Sequence, residues 1–213
     1  MNNGYIENAI LNARNSKSKL PEEILNINGM SSRQGRHLLN NLLSKDGLRY
    51  LEVGCWRGST CCAAMYGNKP SKCVLIDNFS EFQEWNSNGV GVKDELLSNI
   101  SKYGVNCEFI NHDFYTLDLS SKGKFDIYFY DGAHWPKEQY DALEYAFESM
   151  ADTFIYIVDD YNLCDDRVNI KKSLNDSIES MRSKIEIIGE YVLERDEGIW
   201  WHGLYIGLFK KKV

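Results

Sequence analysis

Two apolar runs in this chain end in acids close enough in type and spacing to share one charge partner. "YFYDGAHW", residues 128–135, closes in Asp131 with His134 three positions on, and "FIYIVDDYN", residues 154–162, closes in the pair Asp159-Asp160. On neighbouring strands of a parallel sheet, the three carboxylates would meet at one edge. Carboxylates crowded in this way repel and raise one another's pKa unless a cation neutralises them. A hard divalent cation with oxygen ligands, Mg²⁺ first, suits Asp131, Asp159 and Asp160 and keeps open positions for a substrate hydroxyl. Binding to such a cation favours the alkoxide, and an imidazole, here that of His134, can accept the released proton. The plainer readings are a solvated loop or helix cap for Asp159-Asp160, and a turn histidine packed on Trp135 for His134.

The other apolar runs end in acids as well. "LEVGCWRGST", residues 51–60, carries Glu52, then Gly54 and Gly58, then Ser59 and Thr60 where a helix would open. Glycines at this spacing let the backbone turn tightly and approach a ligand, and the helix start offers free amides. Trp56 stands where a G-x-G-x-x-G loop has its middle glycine, so the match to a dinucleotide-binding fingerprint is incomplete. "VLIDNF" ends in Asp77 and Asn78, where an acid can accept two hydrogen bonds from ribose hydroxyls or simply cap a turn. "INHDFY" supplies Asp113 and Phe114, with His112 read as structural or surface.

These residues need a scaffold that aligns strand ends. The runs 48–53, 72–77, 106–111, 125–131 and 153–159 read as buried strands, and the segments 31–44, 59–67, 91–104, 136–150 and 166–183 place apolar residues at helical spacing. Pro136 fits the first turn of its helix, where a missing amide hydrogen costs nothing. Strand and helix alternate, which predicts a parallel sheet wound on both faces. The tail departs from that rhythm: "SKIEIIGEYVLER" and "LYIGLFKKK" are strand-like and joined by "DEGIWWHG" with no helix between, an antiparallel hairpin at one edge. The expected class is α/β, a Rossmann-like doubly wound sheet of seven strands, mostly parallel with an antiparallel C-terminal hairpin. In such sheets ligands bind beyond the carboxyl ends of the strands, where all these acids stand.

Five parallel strands followed by a hairpin resemble the class I S-adenosylmethionine (SAM) methyltransferases, and the E-x-G-x-x-x-G-[ST] form of residues 52–59 looks like the SAM loop of small O-methyltransferases. The combination "DGAH … VDDY" resembles the metal-dependent O-methyltransferases of the macrocin and mycinamicin sugar type, and more loosely the catechol type. The resemblance runs from about Gly29 to the end, which sets a helical extension over 1–30 before a methyltransferase domain over 31–213. It implies that Glu52, Gly54, Gly58 and Ser59 hold the amino-acid end of SAM, Asp77 and Asn78 its ribose, and Asp113 and Phe114 its adenine. It further implies that Asp131, Asp159 and Asp160 ligate the metal, that Asp131 also faces the cofactor, and that His134 is the general base. The implied reaction is methyl transfer to a hydroxyl of a small molecule or glycan, with a phenolic, catechol-type acceptor or a non-catalytic SAM-binding scaffold as alternatives. A homodimer is implied by the family alone.

Bulk properties exclude other classes. The chain of 213 residues is long enough for one large core, and its net charge of −7, with no basic run longer than Lys210-Lys211-Lys212, would repel nucleic acid. No D/N-P-P-Y/F/W motif or Pro-Cys nucleophile points to base methylation, and no Tyr-x-x-x-Lys supports a short-chain dehydrogenase. No basic segment leads an apolar one at the N-terminus, and no run approaches a membrane span, so the expectation is a cytoplasmic protein without a membrane partner. Six cysteines without metal or disulfide spacing read as reduced thiols. Acceptor choice is expected from the segment before Ser31, the connection 78–91 with Phe79, Phe82 and Trp85, and the loop after Asp160. Trp200-Trp201-His202 is either a lining of the substrate mouth, a dimer contact or a plug on the core.

Overall fold

Strands buried on both faces leave no polar alternation in the sequence, and the near-continuous apolar runs of this chain become such strands. The computed structural model describes residues 1–80, 91–196 and 198–212. Seven strands, β1 (Arg49–Val53), β2 (Lys72–Ile76), β3 (Glu108–Ile110), β4 (Phe125–Tyr130), β5 (Met150–Val158), β6 (Ile185–Leu193) and β7 (Leu204–Lys211), form one sheet in the order β3-β2-β1-β4-β5-β7-β6. The first five run parallel, and β7 lies antiparallel between β5 and β6. The α/β expectation holds, hairpin included.

Helices cover both faces. Among the described residues these are α1 (Asn3–Arg14), α2 (Glu22–Leu25), α3 (Arg33–Leu42), α4 (Ser59–Met65), α5 (Val92–Lys102), α6 (Pro136–Phe147) and α7 (Ile170–Ser180). Successive strand residues point to opposite faces. Tyr50, Leu75, Phe129 and Ile157 therefore join the core with α1, α3 and α4, while Leu51, Val74, Tyr128 and Tyr156 join the other core with α6 and α7. Helix α1 belongs to the first layer: Ile6, Ala9 and Ala13 are buried there, and the Tyr5 hydroxyl donates to the Leu42 carbonyl at 2.8 Å. Four of the six cysteines, Cys55, Cys61, Cys62 and Cys73, are buried as small apolar groups.

Element ends differ from the pattern in informative places. Helix α6 stops at Phe147 and β5 begins at Met150, three residues before the predicted strand, because Met150 pairs with Phe125 at the start of β4. Helix α7 starts at Ile170 instead of Asp166. Asp165 accepts from the amides of Arg167 and Val168, and the Asn169 side chain then caps the helix by accepting from the Lys172 amide. No described helix is long and apolar enough to cross a membrane.

Strand order reverses between β1 and β4, the neighbours at the centre of the parallel part. At such a switch point the two following helices leave on opposite faces, and a crevice opens beyond the strand ends.

Candidate active site

That crevice holds a cavity of about 640 Å³, walled by the β1–α4 turn, the ends of β2 and β4, the loop after β5, and residues from the N-terminal segment and the β6–β7 turn. Its floor depends on Gly54. With φ +86° this residue turns β1 out of the sheet, and a Cβ placed there would lie 1.8 Å from the Asp131 carbonyl oxygen. Only glycine allows the two strand ends to approach so closely. Gly58, at φ +84°, caps α4.

Asp77 ties this turn to the next strand. One carboxylate oxygen accepts from the amides of Cys55 and Trp56, both at 2.8 Å, and the other from the Phe79 amide at 2.7 Å. An ionised carboxylate offers about four acceptor positions, so Asp77, which lines the cavity, keeps capacity for a ligand hydroxyl. Trp56 adopts φ +43°, the left-handed region its position in a glycine loop demands, and also lines the cavity.

The remaining predicted cofactor residues divide. Asn78, Asp113, Phe114 and Ser59 line the cavity, Asp113 capping a short 3₁₀ turn through the Tyr115 amide and Phe114 packing edge-on against Tyr115 and Tyr145. Glu52 lies beneath the turn, fully buried, accepting from the hydroxyls of Tyr50 at 2.6 Å and Thr60 at 2.5 Å. It ties β1 to α4 instead of facing the cavity.

Burial pushes the Glu52 carboxyl up to about 7, against the opposing pull of its two hydroxyl donors. An acid whose folded pKa exceeds its unfolded value holds more protons when folded, so stability falls as pH rises from about 4.5 through about 7 and is level above that. The change from this one group is on the order of 3 kcal/mol. Glu52→Gln should remove that part of the slope, which urea unfolding of both proteins at pH 5 and pH 8 measures.

At the centre, Asp131, His134 and Asp160 each place one ligand atom within 4.8 Å of the others, and His134 Nε2 stands 2.9 Å from Asp160 Oδ2. The β4 and β5 ladders extend into this cluster, the Asp131 amide donating to the Val53 carbonyl and the Asp159 amide to the Tyr130 carbonyl. Asp160 follows at φ +55°, a strained backbone found at the cavity edge. Burial, and then the charges of Asp159 and Asp160, push the Asp131 carboxyl well above the usual range. Burial and the neighbouring Asp160 raise Asp159 to about 8.

Asp159 itself is not part of the three-residue cluster. It lines a small adjoining chamber with Thr60, Trp200 and Leu204, and its Oδ1 accepts from the Asp160 amide at 2.9 Å. His134 takes its place beside Asp131 and Asp160. Two carboxylates and an imidazole are a donor set that suits a divalent cation, and their mutual repulsion is what a cation relieves.

The β6–β7 turn also divides: Trp201 and His202 line the cavity, whereas Trp200 is buried in the core. Of the aromatics in the connection 78–91, Phe79 packs on the core near Phe109, and Phe82 and Trp85 lie outside the described residues. Met30 and Ser31 contribute a wall. The loop amides that bind Asp77 have no side-chain signature, so composition could not reveal them.

A family model described as a methyltransferase domain matches residues 51–161. No curated protein matches the sequence. Among solved structures, an O-methyltransferase from Bacillus cereus in complex with SAH is 16% identical, with a TM-score of 0.62 over 99% of this chain and 92% of that one. The O-methyltransferase TomG from Streptomyces achromogenes, involved in tomaymycin synthesis and solved with SAM, is 17% identical, with a TM-score of 0.60 over 99% and 91%. The SAH-bound methyltransferase PaMTH1 from Podospora anserina is 16% identical, with a TM-score of 0.57 over 98% and 88%. At these identities the likeness is one of fold.

Proposed function

The chain belongs to the methyltransferase-domain family, and on that premise we propose that it transfers a methyl group from SAM to a hydroxyl of a small molecule or sugar, with help from a divalent cation. The observation that carries this reading is the cluster of Asp131, His134 and Asp160 on the wall of the strand-end cavity. SAM would supply a methyl group on a sulfonium: the acceptor oxygen forms the new C–O bond in line as the C–S bond breaks, and the thioether product, SAH, carries away the electron pair. The β1–α4 turn and Asp77, Asn78, Asp113 and Phe114 are the residues that would hold it, with hydrogen-bond acceptors for ribose and an aromatic surface for the base. Asp131 and Asp160 would hold the cation, Mg²⁺ first. When bound there, such a cation favours the alkoxide form of a coordinated hydroxyl.

His134 takes the hydroxyl proton, and Asp160, 2.9 Å from its Nε2, orients the ring and stabilises the imidazolium that forms. The cavity walls hold donor and acceptor in line and exclude water, which supplies much of the remaining acceleration. Trp201 and His202, which line the cavity, would face the acceptor. The macrocin and mycinamicin sugar enzymes are the subfamily whose motifs these residues resemble; a phenolic acceptor is the alternative.

The test is transfer of labelled methyl from SAM to a panel of glycosides and phenols. EDTA should abolish turnover, Mg²⁺ should restore it, and binding of S-adenosylhomocysteine (SAH) should survive chelation. Turnover indifferent to EDTA overturns the cation's part. Failure to bind SAH overturns the donor, and SAH binding without turnover on any acceptor favours the scaffold.

A further inference from the structure

Arg36 lies in α3, 3% exposed, and directs its guanidinium at one short stretch of chain. Nη1 donates to the carbonyls of Leu25 at 2.8 Å and Ile27 at 2.7 Å, Nη2 to that of Gly29 at 3.4 Å, and Nε to Ser31 Oγ at 3.0 Å. Among the described residues it meets no carboxylate. Burial, and then the nearby charge of Arg33, lower its pKa to about 10, so the fold keeps a cation out of water without an anion to offset it. Four bonds to a seven-residue stretch are the return for that cost.

The same stretch is fitted against α4 from its other side. A Cβ on Gly29 would lie 2.0 Å from Ser59 Oγ, and Ser31 Oγ lies 3.2 Å from Ser59 Oγ. Met30, Ser31 and Ser59 all line the cavity. Residues 25–31 are thus a strap across the start of α4, pinned to α3 by one guanidinium, and they fall outside the stretch 51–161 that the family model matches.

We infer that residues 25–31 form a fitted wall of the cofactor pocket and that Arg36 is the positioning residue that sets its place, and with it the affinity for the methyl donor. This rests on the SAM reading given above. Arg36 touches no ligand itself. It acts by fixing Met30 and Ser31 against Ser59, so its loss weakens binding of the donor and leaves the chemistry of the bound complex alone.

Calorimetric titration with SAH tests this on wild type, Arg36→Met, Arg36→Lys and Gly29→Ala, each with its unliganded melting temperature. Arg36→Met should raise the SAH Kd by about tenfold or more, which corresponds to about 1.4 kcal/mol. Arg36→Lys, which keeps the charge and fewer donors, should recover part of the affinity. Gly29→Ala leaves the guanidinium intact and pushes the strap off Ser59, so it should weaken SAH by a similar factor. In turnover the KM for SAM should rise with kcat unchanged, a split that a general loss of stability does not produce. A folded Arg36→Met protein with wild-type SAH affinity overturns the inference; if that variant does not fold, wild-type affinity in Gly29→Ala overturns it instead. Wild-type protein that fails to bind SAH overturns the SAM reading and this inference together, a result distinct from variants that bind as well as wild type.

Discussion

Replacing His134 with alanine lowers methyl transfer by about 10²-fold or more and leaves SAH affinity close to wild type. The hydroxyl of an acceptor is a poor nucleophile until its proton departs, and His134 is the imidazole in the three-residue cluster, held 2.9 Å from Asp160. Alanine removes the proposed proton acceptor and leaves Asp160 without that partner. The cofactor wall, built from the β1–α4 turn and Asp77, is on other strands and keeps its own hydrogen bonds. Initial rates at saturating SAM, set beside SAH calorimetry, separate the two effects. Undiminished turnover would return His134 to a turn residue packed beside Trp135.

Gly54→Ala produces the largest loss of stability expected from one methyl group, about 3 kcal/mol or more. Its backbone sits at φ +86°, where a side chain is strained, and the added Cβ meets the Asp131 carbonyl at 1.8 Å. The obstruction is backbone, so no rotamer change relieves it. Either β1 separates from β4 at the switch point or the Asp131 end of β4 is displaced, and the cluster of Asp131, His134 and Asp160 moves with it. Gly58→Ala is the comparison: its Cβ meets the terminal Cδ1 of Leu96 at 2.7 Å, a side-chain end that can yield, so the loss should be smaller. Urea unfolding of the three proteins ranks them, and a Gly54→Ala midpoint equal to wild type contradicts the proposed packing.

The strand ends were legible because their signal is compositional: a buried parallel strand is an unbroken apolar run, and the first acid after it marks the edge where ligands bind. Gly54 and Gly58 were legible for a related reason, since both sit at positive φ where their spacing predicted a turn. Side-chain direction was not legible. Asp159 and Asp160 are identical in type, and only the geometry after β5 sends the first into a chamber beside Trp200 and the second to His134. Glu52 reads like a cofactor ligand, yet the strand's alternation points it into the core toward Tyr50 and Thr60. Asp77 reads as an acceptor for ribose hydroxyls or a turn cap, and much of its hydrogen-bonding capacity goes to the backbone amides of Cys55, Trp56 and Phe79. Trp200 and Trp201 likewise divide between core and cavity.

The strap of residues 25–31 escaped the pattern altogether. Its contribution comes from carbonyl oxygens and from a glycine pressed on Ser59, features without a residue signature, and Arg36 in an amphipathic helix reads as one more surface charge. The N-terminal region was expected to bear on acceptor choice; Met30 and Ser31 do reach the cavity, from the side of Ser59.

A crystal structure with SAH and Mg²⁺ bound tests the central claim most directly. It should place SAH in the cavity at the β1/β4 switch point, with ribose hydroxyls on Asp77, and the cation on Asp131 and Asp160 with His134 beside the open acceptor space. Crystals grown with saturating SAH and Mg²⁺ that leave the cavity empty and Asp131 and Asp160 unligated would contradict it.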